Sequence, residues 1–437
     1  MTREPDVLAA VEHARDRAEV WGEVPIPERL RVLRSWRARL WRDAEQLAGR
    51  LVEDAAMPLD DALLEVVQAV EHLKWLEEHT GRVLATTTQG GGLLNAEVAQ
   101  RTRRLPVGVV GVVAAGAAPV YGPLTAISAA LAAGNAVVVL GPPSTREALQ
   151  AAVALFPLAR PAVLYADGGR DAALVLADAA VDHMVVFGGP RRVAGIAARC
   201  ARDLVPVTGV PVGAPITVVA PDADVEVAAR AVAAGLPVTG GGAHGEAEVF
   251  VAPGLATDFT RALRSAWATR TAQEPAARAA VGGRGLVRAL GARTGGGLLR
   301  HDGEGAPGGD GLPPVRLHVE TELPELVDQL RARPHAQVTV FSRRRGEAIG
   351  TALRAAQVTV NLPAVRRSGG GLPRAALRAD GYGPLAGDQG LLTLSRAVTT
   401  RQKRRLPVPT GPAEALLATP PGRAAARLAM HLRHSLD

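Results

Sequence analysis

An α/β protein built on parallel, doubly wound sheets is what the sequence predicts, on three observations. Short runs such as VGVVGVVAA, NAVVVL, AVLYA and HMVVF alternate with helical stretches. The runs are apolar throughout rather than every second residue, the pattern of strands covered on both faces. A second series of the same kind starts at ITVVAPDAD, so the 437 residues divide into more than one domain.

Residues 5–80 read as helices. Apolar side chains recur at helical spacing in Leu30, Val32, Leu33, Trp36 and Leu40, and again in Leu63, Val66, Val67, Val70 and Leu73. A glycine-rich break at Gln89–Gly92 precedes a strand-like segment from about Asn95 to Leu105. From Val107 the α/β pattern begins. TAISAALAAG is a small-residue helix ended by Gly134, and STREALQAAVALF is a helix with Ser144 or Thr145 placed as its cap. The second series runs from Pro215 through a helix at Val225–Leu236 to the strand EVFVA. Residues 272–314, rich in Gly, Arg and Ala, read as loops around one or two helices. After them come VRLHV, a helix near 320–333, QVTVFS, a helix near 345–356 and QVTVNL. A proline-containing linker from Pro407 leads to a weakly amphipathic helix near 421–436, expected to pack on protein.

Composition narrows the function classes. Apolar residues are 47% and aromatics 3%, so the core is built from Ala, Val and Leu. The net charge is +7, carried almost wholly by arginine, since Lys74 and Lys403 are the only lysines. The arginine pairs are scattered and few aromatics are available to stack on bases, so no nucleic-acid partner is expected. Cys200 is the single cysteine; no disulfide can form within the chain, which suits a reducing, cytoplasmic setting. The N-terminal stretch has no apolar core of a signal peptide. The longest apolar run, 123–140, is broken by Gly134 and Asn135, so neither a membrane span nor a membrane partner is expected. No metal site is expected either.

The stretch Pro106–Pro142, with ALAAGN at Ala130–Asn135, resembles the first βαβ unit of the aldehyde dehydrogenase superfamily. VVFGGPRRVAG (Val185–Gly195), PDADVEVAARA (Pro221–Ala231), EVFV (Glu248–Val251), QVTVNLP and GYGPLAGDQGL (Gly381–Leu391) resemble its later landmarks, in the same order. The resemblance implies three parts. A Rossmann-type nicotinamide-binding domain takes 1–94 and 106–212, and an α/β catalytic-type domain takes 213–391. A β-flap for oligomerisation takes 95–105 and 392–404, leaving 405–437 as linker and helix.

It also implies a chemistry whose groups can be sought one at a time. Aldehyde oxidation in this family needs a cysteine nucleophile, an oxyanion donor, a base and a hydride acceptor. The cysteine's place is Ala243 counted from the following strand, or His244 counted from Asp222–Asp224. The oxyanion donor's place is Ala117 and the base's is Val210; no carboxylate lies between Asp203 and Asp222. The cofactor-holding lysine is replaced by Gly141. The serine of the helix turn is replaced by Pro190, which removes a hydroxyl and an N–H that could face phosphate. The next glycine of that turn appears as Ala194, with Gly195 beside it, and the ribose glutamate has no counterpart in Gly305–Leu317. Gly141, Pro142, Gly189 and Pro190 are what remains of a cofactor site, so no cofactor is expected, with NAD or NADP the candidates if that remnant binds. The expectation is a catalytically inactive member, a structural or regulatory subunit assembled with itself or with an active paralogue. Two alternatives stand beside it: oxidoreductase chemistry recast around His244, and a small-ligand sensor using the residual pocket between the domains.

Overall fold

The computed structural model describes residues 4–55, 57–90, 98–116, 119–159, 161–166, 171–179, 181–211, 216–236, 247–273, 315–319, 323–331, 337–355, 357–362, 371, 381–403 and 417–434. The expected positions Ala117, Ala243 and His244 and the stretch 305–314 lie outside the described residues. The chain falls into two compact units, one of Met1–Val83 with Pro106–Ser395 and one of Leu84–Leu105 with Arg396–Asp437.

The larger unit opens with four helices: α1 (Glu4–Glu23), α2 (Ile26–Arg42), α3 (Ala44–Ala55) and α4 (Leu59–Val83). The α/β series follows as predicted: β3 (Val109–Val113), α5 (Tyr121–Ala133), β4 (Ala136–Leu140), α6 (Arg146–Ala154), β5 (Val163–Ala166), α7 (Ala172–Asp178), β6 (His183–Gly188), α8 (Pro190–Cys200) and β7 (Val207–Pro211). These strands form one parallel sheet in the order β5-β4-β3-β6-β7. A second parallel sheet takes the order β10-β9-β8-β11-β12, from β8 (Ile216–Val219), β9 (Ala247–Val251), β10 (Val315–Val319), β11 (Gln337–Phe341) and β12 (Gln357–Val360). Its helices are α9 (Val225–Gly235), α10 (Ala256–Gln273), α11 (Leu323–Arg331), α12 (Gly346–Leu353) and α13 (Gly387–Thr393). The smaller unit holds β1 (Thr87–Gly90), β2 (Val98–Pro106), β13 (Ser395–Lys403) and α14 (Pro420–His434), with the strands in the order β1-β2-β13. The α/β class and its small antiparallel sheet therefore hold. Residues 123–140 form α5 and β4, and no described helix is long and apolar enough to cross a membrane.

Three local expectations give way. Thr145 does occupy the cap position of α6, yet neither it nor Ser144 makes a capping bond, because a 3-10 turn at Pro143–Thr145 turns the Thr145 hydroxyl into the core. The glycine-rich break overlaps β1, whose Thr87 and Gln89 pair with Thr102 and Gln100. Strand β7, unforeseen in a segment of mixed Thr, Gly and Pro, is set by its partner: Val185, Phe187 and Gly188 of β6 face Thr208, Val210 and Pro211.

The centre of the larger unit is α5. Its residues from Gly122 to Ala133 are all buried, which suits a helix made of small side chains. A buried helix end must satisfy its carbonyls from other parts of the chain. Gly134, at φ 98°, turns the chain so that its N–H reaches Leu131 O and the Asn135 N–H reaches Ala130 O. Trp21 Nε1 donates to Leu131 O at 2.9 Å and Arg29 Nη1 to Ala132 O at 3.0 Å. Asn135 Nδ2 donates to Ala130 O and to Leu394 O, while its Oδ1 accepts from the N–H groups of Val107 and Gly108. One amide thus ties the end of α5, the approach to β3 and the end of α13. The Ala-Leu-Ala-Ala-Gly-Asn stretch is kept together by packing and caps, independently of any chemistry.

Candidate functional site

In an open parallel sheet, ligands bind outside the carboxyl ends of the strands where the strand order reverses. Here the reversal lies between β3 and β6. The candidate site is accordingly formed by the ends of β3, β4, β6 and β7, and by the first turns of α5, α6 and α8.

Two of those helix starts are already occupied by the protein's own carboxylates. Glu65 of α4 accepts from the N–H groups of Val120 (3.2 Å) and Tyr121 (2.9 Å) at the head of α5. Asp54 of α3 accepts from the Ala148 N–H in the first turn of α6 at 3.2 Å. The exposed amides and positive dipole end that would attract a phosphate are met internally. The four N-terminal helices therefore do more than cover the sheet: two of them supply anions to it.

At the end of β4 stands Gly141, in the place of the expected lysine. A Cβ here would lie 2.8 Å from Tyr165 Oη and 3.2 Å from Leu149 Cδ2. Tyr165, reaching over from β5, fills the space through which a longer side chain would leave the backbone. Pro142 is half-buried and follows in extended conformation, leading into the 3-10 turn.

At the end of β6, Gly188 has φ +149° and Gly189 is the cap residue of α8. Pro190 takes the first helical position, where a missing N–H costs least. The first turn continues with Arg191 and Arg192, both exposed; the stem of Arg192 lies back over Gly188, whose Cβ would meet Arg192 Cδ at 3.3 Å. Neither arginine has a carboxylate partner among the described residues. Two cations in a first helical turn oppose the helix dipole. Like the Glu65 and Asp54 contacts, this pair was not singled out from the sequence, although the run PRR lies within a recognisable stretch. Ala194 and Gly195 are exposed on the same helix.

Val210, at the base's position, is a buried packing residue of β7 opposite Phe187. Cys200 ends α8. Since the helix rises 1.5 Å per residue, its thiol lies about 15 Å from Pro190, toward the opposite edge of the sheet. It is fully buried, and burial pushes its thiol pKa above the ordinary value, which disfavours the thiolate. The other carboxylates of the recognisable stretches serve structure. Asp224 Oδ1 accepts from the Val227 N–H and caps α9, and Asp222 Oδ2 accepts from the Arg344 N–H. Among the described residues no group of His, Cys, Asp and Glu could hold a metal.

A five-stranded parallel sheet with a strand-order reversal, in a chain that also holds a second parallel sheet and a small antiparallel one, defines a Rossmann-type α/β class. The aldehyde dehydrogenase family profile matches residues 1–283, and the chain belongs to that family. Over 136 residues it is 28% identical to malonate-semialdehyde dehydrogenase 1 of Shouchella clausii, covering 31% of this chain and 27% of that protein. Over 138 residues it is 29% identical to the mitochondrial succinate-semialdehyde dehydrogenase of Rattus norvegicus, covering 31% and 25%. The matched stretch thus spans about a quarter of each relative's length. The fold is shared far more widely. An aldehyde dehydrogenase of Mycobacterium tuberculosis, solved with NAD+, superposes with a TM-score of 0.76 at 17% identity over 93% of this chain and 92% of its own. An NADP-dependent glyceraldehyde-3-phosphate dehydrogenase of Bacillus halodurans, solved with NADP, gives 0.76 at 19% over 92% and 91%.

Proposed function

We propose that this chain is a catalytically inactive member of the family that serves as a structural or regulatory subunit, assembled with itself or with an active, cysteine-bearing paralogue. The observation that carries the reading is the position of Cys200. It is the only thiol in the sequence, it is fully buried, and it sits at the far end of α8 from the strand termini. Thiol-dependent acyl transfer needs an accessible thiolate beside the hydride acceptor. The valine at 210 and the glycine at 141, closed over by Tyr165, support the same reading from the base and cofactor sides.

The test has two arms. The purified chain is incubated with NAD or NADP and a panel of semialdehydes and short aldehydes, and it is co-expressed with a cysteine-bearing family member from the same host. No reduced nicotinamide and a mixed oligomer are the expected results. Turnover that disappears in His244→Ala would instead establish chemistry recast around His244.

Arg191 and Arg192 favour a second reading, an anionic small ligand held at the head of α8 in the residual crevice. NAD and NADP are the first ligands to try. A rise in melting temperature with either, lost in Arg191→Gln/Arg192→Gln, would support a sensor role.

A further inference from the structure

The larger unit carries a groove between its first two helices, away from the candidate site. Arg17, Val20 and Trp21 of α1, with Val24 just beyond it, line one wall. Glu28, Arg31, Val32 and Ser35 of α2 line the other. Each set repeats the spacing of a single helix face. Pro157 and Leu158 close the groove from the connector between α6 and β5. That connector stands at the amino end of β5, whereas the candidate site lies at the carboxyl ends of the same parallel strands. The groove and the crevice are therefore on opposite edges of the sheet.

The groove is formed without help from an occupant. Its volume is about 500 Å³, inside the range of roughly 300–1,000 Å³ of small-molecule sites. Trp21, in its floor, is 4% exposed; its Nε1 donates to Leu131 O at 2.9 Å and its ring meets Phe156 edge-on at 6.2 Å. Val24, Val32, Pro157 and Leu158 are half-buried, and Val20 is exposed at the rim. An occupant with an apolar body would remove that remaining surface from water.

Charge is distributed unevenly along it. Arg17 is half-buried and Arg31 exposed, and neither has a carboxylate partner among the described residues. Glu28 is the one carboxylate of the lining, and it lies close to the corner at Val24 and Pro25 where α1 passes into α2. Arg17 is seven residues back from Val24, about 10 Å along the helix. The end remote from the corner thus has cationic groups and the Ser35 hydroxyl, with no anion to meet them.

We propose that this groove binds a small carboxylate with an aliphatic body, its head between Arg17 and Arg31 and its body along Trp21 and the valines toward the corner. A guanidinium fork matches a carboxylate in shape as well as charge. A cationic ligand would face two guanidiniums for one carboxylate. A second copy or a partner chain is a poorer occupant: two helical turns on each wall offer far less than the about 800 Å² that each partner buries in a stable interface. The site is accordingly independent of the assembly proposed above.

The experiment is calorimetric titration of the full chain with octanoate, 1-octanol and octylammonium. Octanoate is expected to bind saturably at one site, octanol about tenfold more weakly and octylammonium not at all, since a charge-assisted hydrogen bond in a half-buried setting is worth roughly that factor. Arg17→Gln/Arg31→Gln should bring octanoate down to the affinity of octanol and leave octanol unchanged. Ser35→Trp, at an exposed helix position, should fill the groove and abolish both; should it fold poorly, the arginine pair reads the site by itself. No saturable binding of octanoate, equal binding of octanoate and octylammonium, or octanoate binding unaltered by the arginine variant would overturn the proposal. So would an oligomer that Ser35→Trp dissociates while octanoate leaves it intact, which would make the groove a contact between chains.

Discussion

Asn135 makes four hydrogen bonds at 2.7–3.0 Å from a fully buried side chain, and its partners lie between 5 and 259 residues away in sequence. Removing it takes the side-chain partner from the half-buried N–H groups of Val107 and Gly108 and from the Leu394 carbonyl, while Ala130 O keeps the N–H of residue 135. Each buried polar group left unpaired costs about 1–3 kcal/mol, with relaxation and water entry offsetting part of the total. Asn135→Ala is therefore expected to lower unfolding stability by about 3 kcal/mol, measured by urea denaturation. A loss below about 1 kcal/mol would mean that the hub is not doing what its geometry says. The sequence marked this residue as a break in an apolar run and as part of a family resemblance. Its physical role was illegible there, because spacing along the chain gives no hint that Val107 and Leu394 meet at one amide.

At the level of elements, β6 and β7 show how far pattern reading carries. The run HMVVF announces β6 by itself, but VTGVP announces nothing, and β7 exists because β6 offers it an edge. Across that pair His183 Nε2 meets Thr208 Oγ1 at 2.9 Å, and burial lowers the imidazole pKa to about 4 from 6.5. The folded protein thus keeps His183 neutral over a range where the unfolded chain binds a proton. Between these values the unfolded state holds more protons, so stability rises with pH. The contribution is complete above about pH 6.5 and is lost as pH falls toward 4. The full effect is about 3 kcal/mol at 1.36 kcal/mol per pH unit. Thermal unfolding across this window should show that slope in the native sequence and a flatter one in His183→Gln. An unchanged slope would place the acid sensitivity elsewhere. Glu65 and Asp54 teach the same lesson for α5 and α6: the helices were legible, but the remote carboxylates that close their first turns were not.

Over the whole molecule, the order of landmarks was enough to give the architecture, because apolar strands and small-residue helices are local patterns. Counting along the chain led to Gly141 and Val210 as positions to inspect, and the structure places them at the end of β4 and within β7. What covers Gly141 was not legible: a tyrosine on a neighbouring strand carries no sequence mark of its target. The single thiol offers a probe of the larger unit as a whole. Cys200 is fully buried, so alkylation should require opening of the α8–β7 region. Native-state labelling is expected to be slower than in denaturant by at least about 10³-fold, for an opening free energy of several kcal/mol. Rapid labelling without denaturant, followed by mass spectrometry, would show a locally open α8.

The contact between Gly141 and Tyr165 makes one mutational order easier than the other. A lysine restored at 141 by substitution would first meet the Tyr165 ring at its Cβ, before its ammonium could reach any ligand. Its immediate effect would be strain, not binding. The tyrosine would have to swing its hydroxyl end aside, or be shortened, a change that by itself opens a void. The residues at 141 and 165 are thus coupled: what can stand at the end of β4 depends on how far the tyrosine of the neighbouring strand reaches.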